Sequence, residues 1–448
     1  MRTIKVYSDE YYNSGTTLAS LGLQDPRWKT HSDDESKFAN LKQNDQNAHT
    51  PGWEPDTFRY ILNSVGLDCD YTYNKTDTHS LRIIDIGSYH NWEILAIKAS
   101  VFFNGLPFIL YSSQEPCVEV ASICNQVPNC YIMDMSYGIP LHERHIPFPS
   151  FFTRLINNFF NVNINYHTIN IKHDFYKSFI FNNLKFRSDA IKTITQFFLT
   201  HCEGILDKGI VTYSRDKGHI SSLAMTDKKW DEFRRGYKNT FHDRIKMDIL
   251  KNYNGNVNID IDSLLSEECF NNFLSRVNDI TLNNWALNYQ GDTPFNNRRR
   301  YHPIWVYNKS YFSMITESTS ANGVVCFSEK SIYPIMMGHP FIIDSKQQGL
   351  FYRSLTDLGF ELFDEILEYP EYPINDHDHE MSALINCVNN IQNFNVSGYK
   401  RNIESITKKS AHNRSNMLNT HSTLWKKLRK IMLENLEKYF DACSNYGK

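Results

Sequence analysis

The sequence predicts an α/β fold: two Rossmann-like domains facing a cleft, each with a parallel, doubly wound sheet, and a closing helix at the C-terminus. Three observations lead to this prediction. The 448 residues, 41% of them hydrophobic, exceed what one ordinary core holds. Short apolar runs alternate with amphipathic segments in two parts of the chain, as strands and helices do in parallel sheets. The last segment has helical periodicity. We therefore predict domains at residues 1–160 and 161–400 and a helical segment at 401–448.

The composition favours a cytoplasmic protein that does not insert into a membrane. The N-terminus lacks the apolar core of a signal peptide, and no apolar run is long enough to cross a bilayer. Nine cysteines are scattered singly without a CxxC pair, which favours buried thiols in a reducing compartment over disulfides or structural zinc. The formal net charge of -3 gives no global attraction to nucleic acid or anionic lipid, so any such attraction must be local.

In the first half, strand and helix patterns alternate from Leu81 onwards. LRIIDIGSYHN, LPFILYSS and CYIMDMS are predicted strands, and WEILAIKASVFF and QEPCVEVASICNQ are predicted helices. The first of these helices places Ile94, Ile97 and Val101 on one face. Residues 1–56 are polar and rich in turn formers, so we predict no regular structure there. HERHIPFPSFFTRLINNFFN, with its two prolines followed by aromatics, is a predicted hinge.

The second half repeats the alternation. KSFIFNN is a predicted strand, and IWVYNKSYFSMITEST is a predicted strand that ends in polar residues. The segment VVCFSEKSIYPIMMGHPFIID is predicted to form a strand, a helix and a strand, and DAIKTITQFFLTHCEG, LFYRSLTDLGF and MSALINCVNNI are predicted helices. Ser328 is a predicted N-cap, flanked by a hydrophobic staple of Phe327 and Ile332, and Gly338 lies at the C-cap. Pro334 should kink or shorten this helix. The tail LWKKLRKIMLENLEKYF is amphipathic; it packs on the protein's own core or binds a membrane surface or nucleic acid.

The segment CFSEKS has the groups that a nucleotide-binding site requires. Glu329 and Lys330 fall in the first turn of a helix that directly follows a strand, where free N–H groups and the helix dipole attract phosphate. Lys330 is a candidate for the phosphates and Glu329 for ribose hydroxyls. Glu317 ends the neighbouring predicted strand and would face the same crevice. A glutamate in a first helical turn is equally explained by charge–dipole pairing, so the pair alone leaves both interpretations open.

Two longer blocks resemble a known family. YFSMITESTSANGVVCFSEKSIYPIMMGHPFII is similar to the donor-site block of α-1,3-fucosyltransferases and of related glycosyltransferases of bacteriophages. The matching positions, in order, are Glu329, Lys330, Pro334, Gly338, His339, Pro340, Phe341, Gly359 and Phe360. FIFNNLKFRSDAIKTITQFFLTHCEGILDKGIVTYS resembles the basic strand–turn–helix unit that opens the donor domain in the same proteins. Ser328 replaces a threonine of the family pattern, and NNLKFR replaces an Asn-Arg-Arg-Pro type of turn.

The resemblance implies a GT-B glycosyltransferase that uses a nucleotide-sugar as co-substrate, needs no other cofactor or metal, and inverts the anomeric centre. An arginine that binds the donor diphosphate would correspond to Arg187, with Lys185 as the alternative. The acceptor is left open among modified DNA bases, as the phage-type likeness suggests, a glycan, and a protein. The implied donor-binding residues are Lys185, Arg187, Glu317, Ser328, Glu329 and Lys330.

A transferase also needs a base that deprotonates the acceptor hydroxyl. Tyr89, His90 and Glu93 follow the IDIGS strand and are candidates to project into the cleft, although a lone histidine after a strand is also commonly structural. The catalytic candidates are therefore His90, Glu93 and Glu317.

Three further clusters allow two interpretations each. Arg298, Arg299 and Arg300 could bind a polyanionic acceptor or form a solvated face. The DHDHE run at residues 376–380 contains a D-x-D pattern, but its position before a helix favours a solvated loop. The cations and aromatics around Trp230 are typical of nucleic-acid surfaces, diluted here by acidic residues. The competing hypothesis is a non-catalytic nucleic-acid-binding or structural protein that retains the GT-B fold.

Overall fold

The chain forms a mixed α/β protein with parallel sheets, which confirms the predicted fold class at this level. The computed structural model describes residues 2–7, 62, 66–72, 74–85, 91–112, 120–134, 136–137, 142–147, 177–183, 205–213, 307, 309–317, 325–345, 347–370 and 380–446. The chain divides into two compact units. Unit 1 comprises Met1–Asn158 and Asn419–Lys448, and unit 2 comprises Phe159–Leu418. The predicted C-terminal segment 401–448 is thus shared between the two units.

Strands and helices alternate along most of the described chain. The strands are β1 Arg2–Tyr7, β2 Leu67–Thr72, β3 Ser80–Leu81, β4 Ile83–Asp85, β5 Phe108–Tyr111, β6 Cys130–Asp134, β7 Ser136–Tyr137, β8 His145–Pro147, β9 Lys177–Asn183, β10 Gly209–Tyr213, β11 Ser310–Thr316, β12 Val325–Cys326 and β13 Phe341–Asp344. The helices are α1 Trp92–Phe102, α2 Val120–Gln126, α3 Ile205–Lys208, α4 Glu329–Met336, α5 Gln348–Asp357, α6 Glu380–Asn393, α7 Val396–Arg401, α8 Ile403–Leu418 and α9 Thr423–Asn445. Among the described helices, none has the length and apolar character that crossing a bilayer requires.

Unit 1 is built on parallel strands. β1 pairs with β2 on one side and β3 on the other, and β4, β5, β6 and β8 form a second parallel series in that order. Only Arg82 separates β3 from β4, so this segment of the chain belongs to both series. Helices α1 and α2 connect β4 to β5 and β5 to β6, as in the predicted strand–helix alternation.

The structure corrects three predictions in unit 1. Residues 1–56 were expected to lack regular structure, yet β1 forms there because a second parallel strand, the unpredicted β2, satisfies its backbone groups. Part of the predicted hinge, HERHIPFPSFFTRLINNFFN, is strand β8, which pairs with β6, while the division between the two units falls in its later part, after Asn158. The stretch beyond β8 lies outside the described residues.

The third correction concerns the packing face of α1. The predicted apolar face is the exposed one, with Ile94, Ile97 and Val101 at 43%, 49% and 74% exposure. The buried face combines two large side chains, Trp92 and Leu95, with alanines that let the helix approach the core closely. The helical spacing of large apolar residues predicts the wrong buried face here. The alanines on the face that is buried add little hydrophobicity to the sequence pattern.

A buried arginine organises unit 1 where β3 meets β4. The side chain of Arg82 is fully buried, at 0% exposure. Its Nε donates to the carbonyl of Lys75 at 2.8 Å, its Nη2 to the carbonyl of Asp77, and its Nη1 to the carbonyl of Pro107 at 3.2 Å. Its backbone N–H donates to the hydroxyl of Tyr439 at 3.0 Å. Because a buried charge without partners is costly, these bonds fix the loop before β3 against helix α9.

Helix α9 packs on unit 1 through its apolar side, which confirms the prediction that the tail packs on the protein's own core. Leu424, Leu428, Leu436 and Tyr439 are buried as predicted, whereas Ile431 is half-buried. The Tyr439 hydroxyl donates to the Pro107 carbonyl at 2.8 Å, and burial raises the pKa of this phenol, so it stays protonated.

Unit 2 contains a four-stranded parallel sheet in the order β10-β9-β11-β13. Strand β9 confirms the predicted KSFIFNN strand, and β11 confirms the predicted IWVYNKSYFSMITEST strand over Ser310–Thr316. β12, α4 and β13 confirm the strand, helix and strand predicted in VVCFSEKSIYPIMMGHPFIID. The predicted helix DAIKTITQFFLTHCEG lies outside the described residues. The predicted helices LFYRSLTDLGF and MSALINCVNNI are confirmed as α5 and α6.

Helix α4 ends as its sequence predicts. Gly338 has a φ of 65°, and its N–H donates to the carbonyl of Ile335 while the N–H of His339 donates to the carbonyl of Pro334. This pair of bonds is a Schellman motif, which requires a left-handed residue that glycine supplies without strain. Pro334 lies inside the helix, which is eight residues long.

His339 joins this turn to β11. Its Nε2 donates to the Ser310 carbonyl at 2.7 Å, so its Nδ1 accepts a hydrogen bond from the Ser313 hydroxyl, also at 2.7 Å. Burial lowers the pKa of His339 to about 4, although hydrogen bonds to the backbone at Ser310 and Tyr307 partly offset the effect. The imidazole is therefore neutral at physiological pH.

Strand β13 is the last of its sheet among the described strands, and side chains from α5 form hydrogen bonds with the backbone on its outer side. The Tyr352 hydroxyl accepts the N–H of Ile343 at 2.7 Å, and Gln348 Nε2 donates to the Ile343 carbonyl at 2.5 Å. Covering these backbone groups prevents the edge from pairing with another strand.

We predict that Tyr439→Phe lowers the free energy of unfolding by about 1–3 kcal/mol, because Arg82 and the Pro107 carbonyl lose a buried partner. Urea unfolding of the full chain measures this change. Tyr446→Phe is the matched control: that hydroxyl donates to the Asn104 carbonyl, but the residue is 46% exposed, so water replaces the bond. Equal losses in the two variants would contradict a special role for the buried hydroxyl.

We predict that acid weakens the fold through His339. Between a pH of about 6.5 and about 4, the unfolded chain binds a proton at this position that the native chain does not. The free energy of unfolding should therefore fall by roughly 3 kcal/mol as the pH drops through this window. Denaturant unfolding across the window measures the slope. His339→Gln should reduce it, because glutamine binds no proton in this range. An unaltered slope in His339→Gln would exclude this explanation.

Candidate functional site

The candidate site lies at the carboxyl edge of the sheet in unit 2. The strand order β10-β9-β11-β13 means that the chain leaves β9 towards one side of the sheet and β11 towards the other. In open parallel sheets such a reversal opens a crevice outside the carboxyl ends of the two central strands, where ligands bind. Glu317 is the first residue after β11 and Asn183 the last of β9. The pairing of Met314 with Phe181, continued at the same offset, brings Thr316 level with Asn183.

Glu317 makes its described contacts at this edge with Ser328, the N-cap of α4. Glu317 is buried, at 3% exposure. One carboxylate oxygen accepts the Ser328 N–H at 3.1 Å, and the other accepts the Ser328 hydroxyl. The carboxylate thereby ties the end of β11 to the start of α4.

Lys330 contacts the same hydroxyl. The Ser328 Oγ accepts the Lys330 N–H at 3.2 Å, which is the N-cap bond, and lies 3.3 Å from Lys330 Nζ. The predicted cap is thus confirmed. The carboxylate, the hydroxyl and the ammonium form a chain of contacts at the N-terminus of a helix, where the dipole also favours an anion.

The local sequence accounts for this arrangement. Phe327 and Ile332, the predicted hydrophobic staple, are both buried, at 1% and 0% exposure, and set the direction in which the chain enters α4. Ser331 adds a hydrogen bond from its hydroxyl to the Ser328 carbonyl at 3.1 Å. The first turn of α4 is therefore fixed by packing on one side and hydrogen bonds on the other.

Asp344 is a second buried acidic residue at the same edge, and the sequence analysis did not identify it. It ends β13, pairs in register with Thr316 and is 1% exposed. The Thr316 hydroxyl lies 3.5 Å from one of its oxygens. The sequence pattern that could have identified Asp344 is an acidic residue at the end of the apolar run FIID, as Glu317 is an acidic residue at the end of its predicted strand. A diphosphate held beside two carboxylates needs cations to balance them, which is the role predicted for Lys330, Lys185 and Arg187.

The structure brings three predicted site residues together: Glu317, Ser328 and Lys330. Glu329 is the first residue of α4, as predicted. Glu93 lies in the first turn of α1 in unit 1 and is exposed. Several predicted residues lie outside the described part of the chain and stay predictions: Tyr89, His90, Lys185, Arg187, Trp230, Arg298, Arg299 and Arg300.

Metal-ligating side chains are not clustered in the described ranges. Within them, no group of three or more His, Cys, Asp or Glu side chains is arranged to hold a metal ion. Of the DHDHE run, only Glu380 is described, as the first residue of α6.

The chain has no match among protein-family models, curated proteins or solved structures.

We predict that Ser328→Ala lowers the free energy of unfolding by roughly 2–4 kcal/mol, because it removes both a helix cap and a donor to a buried carboxylate. Ser328→Thr keeps the hydroxyl and should lose less than about 1 kcal/mol. Urea denaturation compares the variants. Ser422→Ala is the matched control, since Ser422 is the N-cap of α9 but makes no side-chain cap bond. If Ser328→Ala were no more harmful than Ser422→Ala, the described network would not stabilise the fold.

Proposed function

We propose that the chain is a glycosyltransferase that binds a nucleotide-sugar at the carboxyl edge of the sheet in unit 2. The observation that carries the proposal is the chain of contacts from Glu317 through Ser328 to Lys330. It lies beside the reversal of strand order, at the N-terminus of α4. A nucleotide-sugar presents a diphosphate and ribose hydroxyls, which an ammonium, helix N–H groups and carboxylates recognise.

In this proposal the site residues have different roles. Lys330, with Arg187 or Lys185, neutralises the diphosphate, and Glu329 accepts the ribose hydroxyls. Glu317 is a positioning residue, because its two oxygens accept the N–H and the hydroxyl of Ser328 and so orient the group that contacts Lys330. This assignment differs from a direct catalytic role for Glu317, which its burial makes less suitable.

The proposed reaction is a direct displacement. The acceptor oxygen forms a bond to the anomeric carbon while the bond from that carbon to the diphosphate oxygen breaks, and the configuration inverts. The acceptor proton passes to a base, for which His90 and Glu93 are candidates. The leaving nucleoside diphosphate takes the electron pair, and Lys330 and Arg187 stabilise its developing charge. The reaction requires no metal or further cofactor.

The resemblance of residues 311–343 and 179–214 to the fucosyltransferase-type donor domain supports the same assignment. A GT-B arrangement, with two Rossmann-like domains facing a cleft, is part of the proposal. Under it, unit 2 binds the donor and unit 1 presents the acceptor. A modified DNA base, a glycan and a protein are all acceptors compatible with the proposal, and Arg298, Arg299 and Arg300 are candidates to contact a polyanionic one.

We predict that the chain binds UDP, GDP or one of their sugars, and that Lys330→Ala weakens this binding about tenfold or more, because the diphosphate loses a charge-assisted contact. Titration calorimetry with a nucleotide panel measures the affinities. The same nucleotides should raise the unfolding temperature of the wild type. Incubation with nucleotide-sugars, followed by detection of free nucleoside diphosphate, tests turnover.

Lys400→Ala is the matched control, because Lys400 is an exposed lysine in the last turn of α7 in the same unit. It should bind nucleotides like the wild type. If no nucleotide bound the wild type, the transferase proposal would fail in favour of a non-catalytic protein. Equal binding by Lys330→Ala and Lys400→Ala would place any nucleotide site elsewhere.

A further inference from the structure

Helix α1 carries an apolar face that unit 1 does not cover. The face consists of Ile94, Ile97 and Val101, and we name these three residues the α1 apolar face. They are half of the six large hydrophobic side chains that are exposed in the described part of the chain, and the other three lie on different elements. Single exposed apolar residues are ordinary on a protein surface, whereas a group of them on one face marks a site of interaction.

The spacing of this face is that of a coiled-coil seam. Its members follow one another by three and then four positions, as the a, d and a positions of a heptad repeat do, and all three are β-branched. The b, c and f positions of the same repeat are Leu95, Ala96 and Ala99, and these are buried against unit 1. The seam is therefore on the side of the helix opposite to the core.

One charge of each sign flanks the seam. Glu93 takes the g position and Lys98 the e position, and both residues are exposed. A separation of five residues turns the two side chains about 140° apart around the helix, so they do not pair with each other. Within the described part of the chain, neither side chain forms an ion pair or a hydrogen bond.

This arrangement of charges is complementary to a second copy of the same helix in parallel orientation. In a parallel pair, the g position of one helix lies beside the e position that is five residues further along the other. Glu93 then lies beside Lys98 of the partner subunit, and two-fold symmetry makes this contact twice. In an antiparallel pair, g lies beside g and e beside e, so like charges meet.

A lipid surface is a less suitable occupant of the α1 apolar face. Helices that lie on membranes combine large residues such as Trp, Phe and Leu with a polar face rich in lysine and arginine. The exposed side of α1 has one lysine, one glutamate and no exposed aromatic residue.

We propose that the chain forms a dimer through α1, in which the two helices are parallel, the α1 apolar faces are in contact and Glu93 pairs with Lys98 of the partner subunit. Each copy contributes only three apolar side chains, so the interface is small and the dimer dissociates on dilution. Because α1 is already folded on its core, association requires no ordering of the helix. The inference does not rest on sugar transfer, since nucleotide titrations report on Lys330 in unit 2.

The first test is sedimentation equilibrium of the full chain between about 1 and 100 µM, the range in which a small interface dissociates. The wild type should pass from the mass of one chain to twice that mass. Ile97→Asp should raise the dissociation constant about tenfold or more, because a carboxylate from each copy enters the apolar seam. Val396→Asp is the matched control, since Val396 is an exposed β-branched residue of α7 in unit 2, and it should dimerise like the wild type.

The second test reverses the charges and reports on the orientation of the helices. Glu93→Lys and Lys98→Glu each place like charges beside one another, so each variant alone should dimerise about fivefold or more weakly than the wild type. In an equal mixture, the two variants should form a heterodimer about as stable as the wild-type dimer, because opposite charges again lie together. Native mass spectrometry with one variant isotopically labelled measures this preference. Glu93 is also a candidate base of the proposed reaction, so these variants are compared by mass and not by activity.

Urea unfolding of each variant shows whether the fold is intact, as we expect for exposed positions. If Ile97→Asp lowers the stability, Val101→Ser replaces it, because Val101 is 74% exposed and the change is milder. The proposal is wrong if the wild type has the mass of one chain at every concentration, or if Ile97→Asp and Val396→Asp dimerise equally. A mass of three chains, or a mixture of charge variants without preference for the heterodimer, also contradicts it. Binding of a monomeric wild type to phosphatidylcholine vesicles, lost in Ile97→Asp, would assign the face to lipid instead.

Discussion

The fold of unit 1 depends on how the buried guanidinium of Arg82 is satisfied. The structure gives it carbonyl oxygens from Lys75, Asp77 and Pro107 and the hydroxyl of Tyr439. A cation in the interior without such partners would cost several kcal/mol. The bonds therefore require the loop before β3, the start of β5 and helix α9 to be in place together. This constraint explains why a tail that looks self-sufficient as an amphipathic helix is part of a core formed far away in sequence.

Unit 2 uses a similar device at the edge where we propose a ligand. A buried carboxylate, Glu317, is satisfied by the N-cap of a neighbouring helix, and the same cap hydroxyl contacts the ammonium of Lys330. If this edge binds the proposed ligand, the same contacts serve both stability and binding. Glu317 and Ser328, whose hydrogen bonds tie β11 to α4, also position Lys330, because its ammonium contacts the hydroxyl of Ser328.

The sequence was most informative where local chemistry and long-range pairing agree. The α4 region was predictable because a cap, a staple and a Schellman glycine occur within twelve residues, Phe327 to Gly338. It was least informative where pairing partners are distant: β1 looks polar on its own, and only β2 and β3 make it a strand. The exposed face of α1 was misjudged because close packing through alanine is weak in any hydrophobicity pattern. The contacts of Glu317 with Ser328 needed the register of the sheet, which spacing alone does not supply.

The discontinuity of unit 1 has a consequence for the order of events during synthesis. Residues 159–418 emerge from the ribosome as one uninterrupted stretch, whereas the contact between Pro107 and Tyr439 spans 332 residues. All residues of unit 2 are therefore synthesised before α9. Until α9 is synthesised, the part of unit 1 that packs around Tyr439 lacks this side chain. Contacts of such high sequence separation form late and slowly. A nascent chain arrested before α9 would expose that part of its interior, where a chaperone could recognise it.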